Sequence, residues 1–348
     1  MEKKTALITG ANAGIGLALA DRLLTEFPSI HLCLACRSKS KAEEAQTMLK
    51  EKHEEADICV LLVDVSNLES VYRAAEAIKK QYKHIDYLYL NAGIMPVSSV
   101  DWSHFWQCLF SSKCVDMFRT GDGLLKQVDG VTTDGMKQIF ATNLFGHFAL
   151  LKKVNSVLGG ANRTTQVIWT SSSNAKKSAF MLSDIQHQHG SEPYSSSKYA
   201  TDMISVALNE RFNQQGIYSH TTCPGLVMTN LTYGILPSWF WTLLLPLLIL
   251  IRIFTPTMNY SPYNGSEALV WLAKQPPQGI DPMCKYHSRL NWLGNRYVEP
   301  KKVNSNFIFL NYLFEIQLQL DVDISIAQKA YEELDKMETA IHKGIKLS

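Results

Sequence analysis

The chain has 348 residues, of which 46% are hydrophobic and 19% charged, with a formal net charge of +2. That balance suits a packed core and excludes a disordered chain, a collagen-like fibre and a multi-pass transporter. The near-neutral charge, with no Lys/Arg block of five or six residues, argues against a nucleic-acid partner.

Two periodicities alternate from the N-terminus. Short apolar runs at 5–9, 30–36, 58–63 and 85–90 read as strands, and helical spacing separates them at 17–27, 39–53 and 67–82. Continuous apolar strands joined by helices imply a parallel sheet covered on both faces. Right-handed crossovers then make it a doubly wound, Rossmann-type α/β fold. Residues 97–130 interrupt the pattern with aromatics but no clear strand, and read as an insertion near a substrate mouth. The alternation resumes with a helix at 134–157, a strand at 166–170, a helix at 194–214 and a strand at 217–223.

Residues 233–251 then run almost without charge and contain Trp239, Phe240, Trp241 and LLLPLLILI. As a helix this run would span roughly 28 Å, enough for a bilayer core. Pro246 in its middle favours a bend. A membrane-dipping segment is expected, with a buried hairpin in an oligomer as the alternative. Residues 303–319 differ in composition from both flanks and read as an insertion, arising from splicing or from the gene model, or as a second membrane contact. Residues 324–342 return to amphipathic helical spacing. A single catalytic domain over 1–300 is expected, carrying the insert and an apolar segment at 233–254. An atypical stretch at 301–320 and a C-terminal helix with its tail at 321–348 follow.

Seven cysteines spread over this length do not form a disulfide framework, and no secretory signal opens the chain, so a reducing compartment is expected. Cys33 and Cys36 spell C-x-x-C, but an offset of three within a strand puts them on opposite faces, which favours burial over a redox or zinc site. The sequons at Asn162, Asn230 and Asn264 are expected to be unmodified for the same reason.

The first strand-to-helix turn reads TGANAGIG. Its glycines, Gly10, Gly14 and Gly16, let backbone approach a pyrophosphate at a helix N-terminus. Thr9, Asn12 and Ile15 belong to the same expected cofactor-binding turn. About twenty residues further on, where an NAD site places a carboxylate, the chain has Cys36 and Arg37. A guanidinium there suits a 2′-phosphate, hence NADPH. Asp64, ending the third strand, either accepts a bond from the adenine amino group or caps a turn. Tyr194 and Lys198 sit at i and i+4, neighbours on one helix face. A phenol with a pKa of about 10 is a poor proton shuttle until a nearby cation favours its phenolate.

These motifs together resemble the short-chain dehydrogenase/reductase superfamily: TGANAGIG, Asn91-Ala92-Gly93, Asn143, Ser172, Tyr194 with Lys198, and Pro224-Gly225 with Thr229. Further segments, among them CLACRS, LNAGIMP, FATNLFGHF and EPYSSSKYATD, look like its ketosteroid-reducing members. The resemblance implies that Tyr194 donates a proton to a carbonyl oxygen, Ser172 holds that oxygen, and Lys198 tunes the phenol and binds the nicotinamide ribose. Asn143 would fix the relay geometry, Asn91 would lie against the adenine ribose, and Thr229 would contact the carboxamide. Ser172 precedes Tyr194 by twenty-two positions, more than is usual in the superfamily, and Ser171 and Ser173 flank it, so the catalytic serine stays open. The longer interval, which contains His187 and His189, is expected to shape the substrate side, and the two histidines are not expected to be catalytic. The implied activity is NADPH-dependent reduction of 3-keto sterols after C4 demethylation in cholesterol biosynthesis, and of the 17-keto group of estrone-like steroids. A retinal or generic lipid carbonyl reductase and a non-catalytic NADP-binding scaffold are the alternatives. The resemblance further implies an endoplasmic reticulum membrane location with the catalytic domain facing the cytosol. Other C4-demethylation enzymes are implied as neighbours, and pairing through the helices of Asn143 and Tyr194 as a homodimer.

Overall fold

The computed structural model describes residues 3–109, 111, 125–227, 258–301 and 322–343. Strands β1 (Thr5–Thr9), β2 (His31–Cys36), β3 (Asp57–Leu62) and β4 (Tyr87–Leu90) alternate with helices α1 (Gly14–Glu26), α2 (Lys39–Lys52) and α3 (Leu68–Gln81). Each matches its sequence expectation to within a few residues. The strand side chains are mostly buried, as apolar runs covered on both faces require.

Residues 97–130 depart from expectation. They contain a short antiparallel pair, β5 (Val97–Val100) with β6 (Leu125–Gln127), and helix α4 (Trp102–Leu109). Alternation of small and polar residues in VSSV left no hydrophobic period to read, which is why the pair escaped the sequence. Helix α5 follows at 138–154. Its middle, Ala141–Phe145, is a π-helical turn, so the side chain of Asn143 is rotated relative to a regular helix. Strand β7 (Thr165–Thr170), helix α6 (Pro193–Phe212) and strand β8 (Ile217–Cys223) complete the expected alternation.

Beyond β8 come β9 (Leu226–Val227), β10 (Met258–Tyr260), α7 (Pro262–Gly265), α8 (Glu267–Ala273), β11 (Lys285–Leu290), β12 (Arg296–Lys301) and α9 (Ile324–His342). The main sheet runs β12-β11-β8-β7-β4-β1-β2-β3, parallel except for the β11–β12 pair. The last two strands were not expected. KYHSRL and RYVEPK carry charges that mask a strand pattern. Arg289 is nevertheless buried, its Nε 2.9 Å from Glu299 on the paired strand.

One core lies between the sheet and α3, α5, α6 and α9, the other between the sheet and α1, α2 and α8. Cys33 belongs to the first and Cys36 to the second, as the strand offset implied. Helix α9 closes the first core, with Tyr331 edge-on to Phe148 and buried Glu338 ion-paired to Lys152 and Lys153. Helix α5 and the loop after β3 approach so closely that a Cβ on Gly146 would overlap the Val65 carbonyl oxygen.

β9 and β10 pair side by side, Leu226 with Met258 and Val227 with Tyr260. The apolar run at 233–251, Thr229, Asn230 and the segment 303–319 lie outside the described residues. Among the described residues no helix is long and apolar enough to cross a membrane.

Candidate active site

The β1–α1 turn is built for close backbone approach. Gly10 and Gly14 have φ of 68° and 55°, in the left-handed region that favours glycine. A Cβ on Gly16 would overlap the Gly10 carbonyl oxygen and reach 2.7 Å from the Asn91 amide nitrogen. Helix α1 starts at Ala13 with no side-chain cap and no acidic residue in its first turn. Its leading N–H groups therefore face outward beside a glycine floor, which fits a pyrophosphate. Asn12 and Ile15 flank this cradle, both half-buried.

Thr9 is placed differently from expectation. It is fully buried, and its hydroxyl accepts the Asn91 and Ala92 N–H groups at 2.8 and 3.0 Å and meets His147 Nε2 at 2.9 Å. Thr9 thus brackets β1 to β4 rather than lining the cleft. His147 is pushed down to about 3 by burial, reinforced by the Lys198 charge, so it is a neutral partner. The Asn91 amide donates to the Thr9 carbonyl at 3.1 Å and accepts from the Thr170 hydroxyl at 3.2 Å. Both ends of the side chain expected against a ribose therefore tie β4 to its neighbours β1 and β7. Asp64 takes the turn-capping role, accepting from Ser66 N at 2.9 Å and Ser66 Oγ at 2.6 Å. Its other oxygen lies 3.9 Å from Arg37 Nη1, and the Arg37 side chain is 73% exposed at the end of β2.

The catalytic candidates come together at the start of α6. Pro193 occupies the first turn, and Gln127 of β6 accepts the Tyr194 N–H at 3.0 Å. The insertion thereby caps the helix that carries Tyr194. Lys198, one turn on, is buried with Nζ 5.7 Å from the Tyr194 ring centroid and donating to the Thr170 carbonyl at 2.7 Å. The Ser172 hydroxyl accepts from Asn174 N at 3.1 Å and interacts with the Tyr194 phenol, drawing its pKa down. Ser171 turns inward, donating to the Lys198 carbonyl at 3.4 Å. Between these two serines, Ser172 is the one brought to the phenol.

Asn143 sits in the π-turn, buried. Its Oδ1 accepts the Ile94 N–H at 2.8 Å, and its amide donates to the Ile94 carbonyl at 3.0 Å and Ser197 Oγ at 3.1 Å. It holds the chain after β4 so that Gly93 faces both Asn143 and Lys198; a Cβ there would lie 3.2 and 3.5 Å from their polar atoms. His187 accepts the Glu192 N–H at 3.3 Å and exposed His189 pairs with Asp184 at 3.4 Å, so both act within their own loop.

Electrostatics differ from the simple expectation of an ammonium-acidified phenol. Burial pushes Tyr194 up to about 12, with the neighbouring Ser172 hydroxyl pulling in the other direction. Burial pushes Lys198 down to about 8; Asp202 raises it and Lys285 lowers it. Desolvation outweighs the pairing because the ammonium is directed at the Thr170 carbonyl rather than the phenol oxygen. Such a phenol keeps its proton near neutrality, so Tyr194 is present in the acid form that a carbonyl reduction consumes.

The family model described as short chain dehydrogenase matches residues 4–237. The chain belongs to the short chain dehydrogenase family. It is 49% identical to 3-keto-steroid reductase/17-beta-hydroxysteroid dehydrogenase 7 of Rattus norvegicus, over 99% of this chain and 98% of that protein. Identity to the Homo sapiens protein of the same name is 47%, over 99% and 96%. The 3-keto-steroid reductase erg27 of Schizosaccharomyces pombe is 32% identical over 78% and 82%. Salutaridine reductase from Papaver somniferum shares the fold with a TM-score of 0.57 and 21% identity, covering 80% of this chain and 98% of that one.

Two residues of this short chain dehydrogenase site escaped the sequence. Asp202 and Lys285 form an ion pair at 2.6 Å, 2% and 5% exposed, and Lys285 also donates to the Ser172 carbonyl at 2.9 Å. Asp202 had a signal: with Tyr194 and Lys198 it makes a polar stripe at i, i+4 and i+8. Lys285 had none, because β11 was not foreseen. Through Ser172 and Lys198 the pair positions the site. Lys285→Met should cost about 3–5 kcal/mol, the usual effect of stranding one buried charge, while Asp202→Asn/Lys285→Met should recover most of it. Urea unfolding measures both, and a double variant as unstable as the single would overturn the pairing argument.

Proposed function

We propose that this chain is an NADPH-dependent ketosteroid reductase of sterol biosynthesis. It reduces the 3-keto group of C4-demethylated sterol intermediates to a 3β-hydroxyl, and the 17-keto group of estrone-like steroids to a 17β-hydroxyl. The observation that carries this reading is the grouping of Ser172, which draws the Tyr194 pKa down, with Tyr194 and with Lys198 one turn on. It lies in a chain nearly half identical, over almost its whole length, to proteins named for that activity. The glycine turn and open α1 N-terminus would hold the cofactor's pyrophosphate, and the exposed Arg37 guanidinium just after β2, its Nη1 3.9 Å from Asp64, supports a 2′-phosphate. When bound, a reduced nicotinamide supplies hydride to the carbonyl carbon.

The protein's own part is to place and protonate the carbonyl oxygen. The Ser172 hydroxyl stabilises the charge that develops there, and Tyr194 Oη gives up the proton. Lys198 keeps a positive charge beside the phenol, which favours the phenolate left behind. Asn143 holds the Ile94 backbone, and Lys285 and Asp202 hold the serine segment and the lysine.

Membrane attachment is proposed through the apolar run at 233–251, entering and leaving on the same side of an endoplasmic reticulum bilayer with the sheet in the cytosol. Two features support this. The segments flanking residues 228–257 pair directly as β9 and β10, and β11 and α9 pack on the same sheet as the N-terminal strands. In sealed microsomes, protease added outside should reach the C-terminal tail; a protected tail would contradict this arrangement.

Purified protein with NADPH should reduce 3-keto sterols and 17-ketosteroids in preference to retinal, and more slowly with NADH. Tyr194→Phe should abolish turnover, a loss of at least about a hundredfold for a removed general acid, and leave NADPH binding nearly intact. Loss of both would refute the role given to Tyr194.

The reaction needs Lys198 charged, and its pKa lies at about 8. A group with a lowered pKa loses its charge as pH rises through that value. The reduction rate should therefore hold below pH 8 and fall above it, while the Tyr194 phenol stays protonated. A pH–rate profile flat to pH 10 would rule this out.

A further inference from the structure

A second cluster of reactive groups lies on the outer strands β2 and β3, separated from β7 and its catalytic residues by β4 and β1. Cys59 stands opposite Cys33 in the parallel register, and Asp57 stands opposite His31. That register puts the two thiols on the same face of neighbouring strands. The Tyr82 hydroxyl lies 3.0 Å from Cys59 Sγ, and the Gln81 amide and His31 Nε2 each lie 3.6 Å away. Behind the imidazole, His31 Nδ1 is 2.9 Å from an Asp57 oxygen, which also meets the Lys3 ammonium.

A neutral thiol is a weak acceptor and gains little from such a ring of donors; a thiolate gains much. The neighbouring Cys33 thiol and the contacts with His31 and Tyr82 draw Cys59 well below an ordinary thiol, whereas proximity to Cys59 and burial raise Cys33. His31 is raised by its bonds to Cys59 and Asp57 against its burial, which favours the imidazolium. Access follows the same division. Among the described cysteines Cys59 is half-buried, and Cys33, Cys36, Cys108, Cys223 and Cys284 are buried.

We propose that Cys59 is a peroxide-reactive thiolate and that Cys33 resolves it, closing a disulfide across β2 and β3. The Cys59 sulfur attacks the peroxide, the O–O bond breaks, and one oxygen stays on sulfur as a sulfenic acid. The other leaves as hydroxide or alkoxide and takes a proton from His31. Sulfur has then lost two electrons and the peroxide has gained them. The Cys33 sulfur next attacks the Cys59 sulfur, the S–O bond breaks, and the departing hydroxide leaves as water with the Cys33 proton. Neighbouring strands lie about 4.8 Å apart, inside the Cα separation that a disulfide accepts, and residues in register face the same side.

The test is peptide-resolved alkylation of the full-length protein with iodoacetamide at pH 6, followed by hydrogen peroxide. Cys59 should label at least ten times faster than the five buried cysteines. His31→Gln should slow it about tenfold while Cys36 and Cys223 labelling stays unchanged, the sign that the fold is kept. Peroxide should yield a Cys33–Cys59 linked peptide, and Cys33→Ser should stop at a dimedone-trapped sulfenic acid on Cys59. Slow Cys59 labelling at pH 6 in the unaltered protein, or peroxide that leaves both thiols free, would overturn the proposal. Neither readout depends on steroid reduction, so a failed activity assay leaves this test intact.

Discussion

A lysine ammonium buried beneath the sheet's C-terminal edge is the constraint around which the site is arranged. Lys198 is 4% exposed, and an isolated charge in that position would be expelled or neutralised. Several groups offset the cost together. The Thr170 carbonyl takes its proton at 2.7 Å, and the Asp202 carboxylate raises its pKa. A second ammonium, Lys285, ties Asp202 down and opposes part of that gain. The balance leaves Lys198 near 8, where a change in surroundings shifts its charge. Catalysis and stability are therefore linked through the same four groups, since whatever loosens Asp202 also changes the charge beside Tyr194.

The same edge depends on backbone proximity that only small residues permit. Gly16 lies against the Gly10 carbonyl, Gly10 lies against Ala92, and Gly93 lies against Asn143 and Lys198. Thr9 and Asn91 then cross-link β1, β4 and β7 by hydrogen bonds whose groups are buried or half-buried. Rigidity at these strand ends fixes both the α1 N-terminus and the Ile94 backbone held by Asn143. The residues read from the sequence as cofactor contacts are thus in part the scaffold that keeps the cradle open. Thr9 is the plainest instance, because a fully buried hydroxyl with four partners has nothing left to offer a ligand.

Much of the fold was legible because apolar strands and amphipathic helices announce themselves by period. The four N-terminal strands, α6, β8 and α9 all appear where that period places them. What failed to show lacked a period. VSSV is too polar to read as a strand, KYHSRL and RYVEPK carry charges whose partners lie on other elements, and the π-turn at Asn143 has no sequence mark. The site divides the same way. Tyr194 and Lys198 follow from helical spacing, whereas the choice of Ser172 over Ser171 needed side-chain direction. The expected acidification of Tyr194 was misjudged because neighbours on a helix need not point their polar ends at each other.

These omissions share a physical cause that bears on how the family varies. Gln127, which caps α6 at Tyr194, comes from the insertion; Lys285, which pairs with Asp202, comes from the late edge of the sheet. Neither lies in the turn or helix motifs that identify the family, yet both bond directly to the segments bearing Tyr194 and Ser172. A parallel sheet can deliver a tyrosine and a lysine to one face by helical repeat alone. It cannot by itself satisfy the first N–H groups of α6, or the carboxylate that a buried lysine draws in with it. Those demands are met from outside the repeating α/β pattern. The parts of the chain that look like additions to the fold are accordingly the ones that complete its catalytic edge.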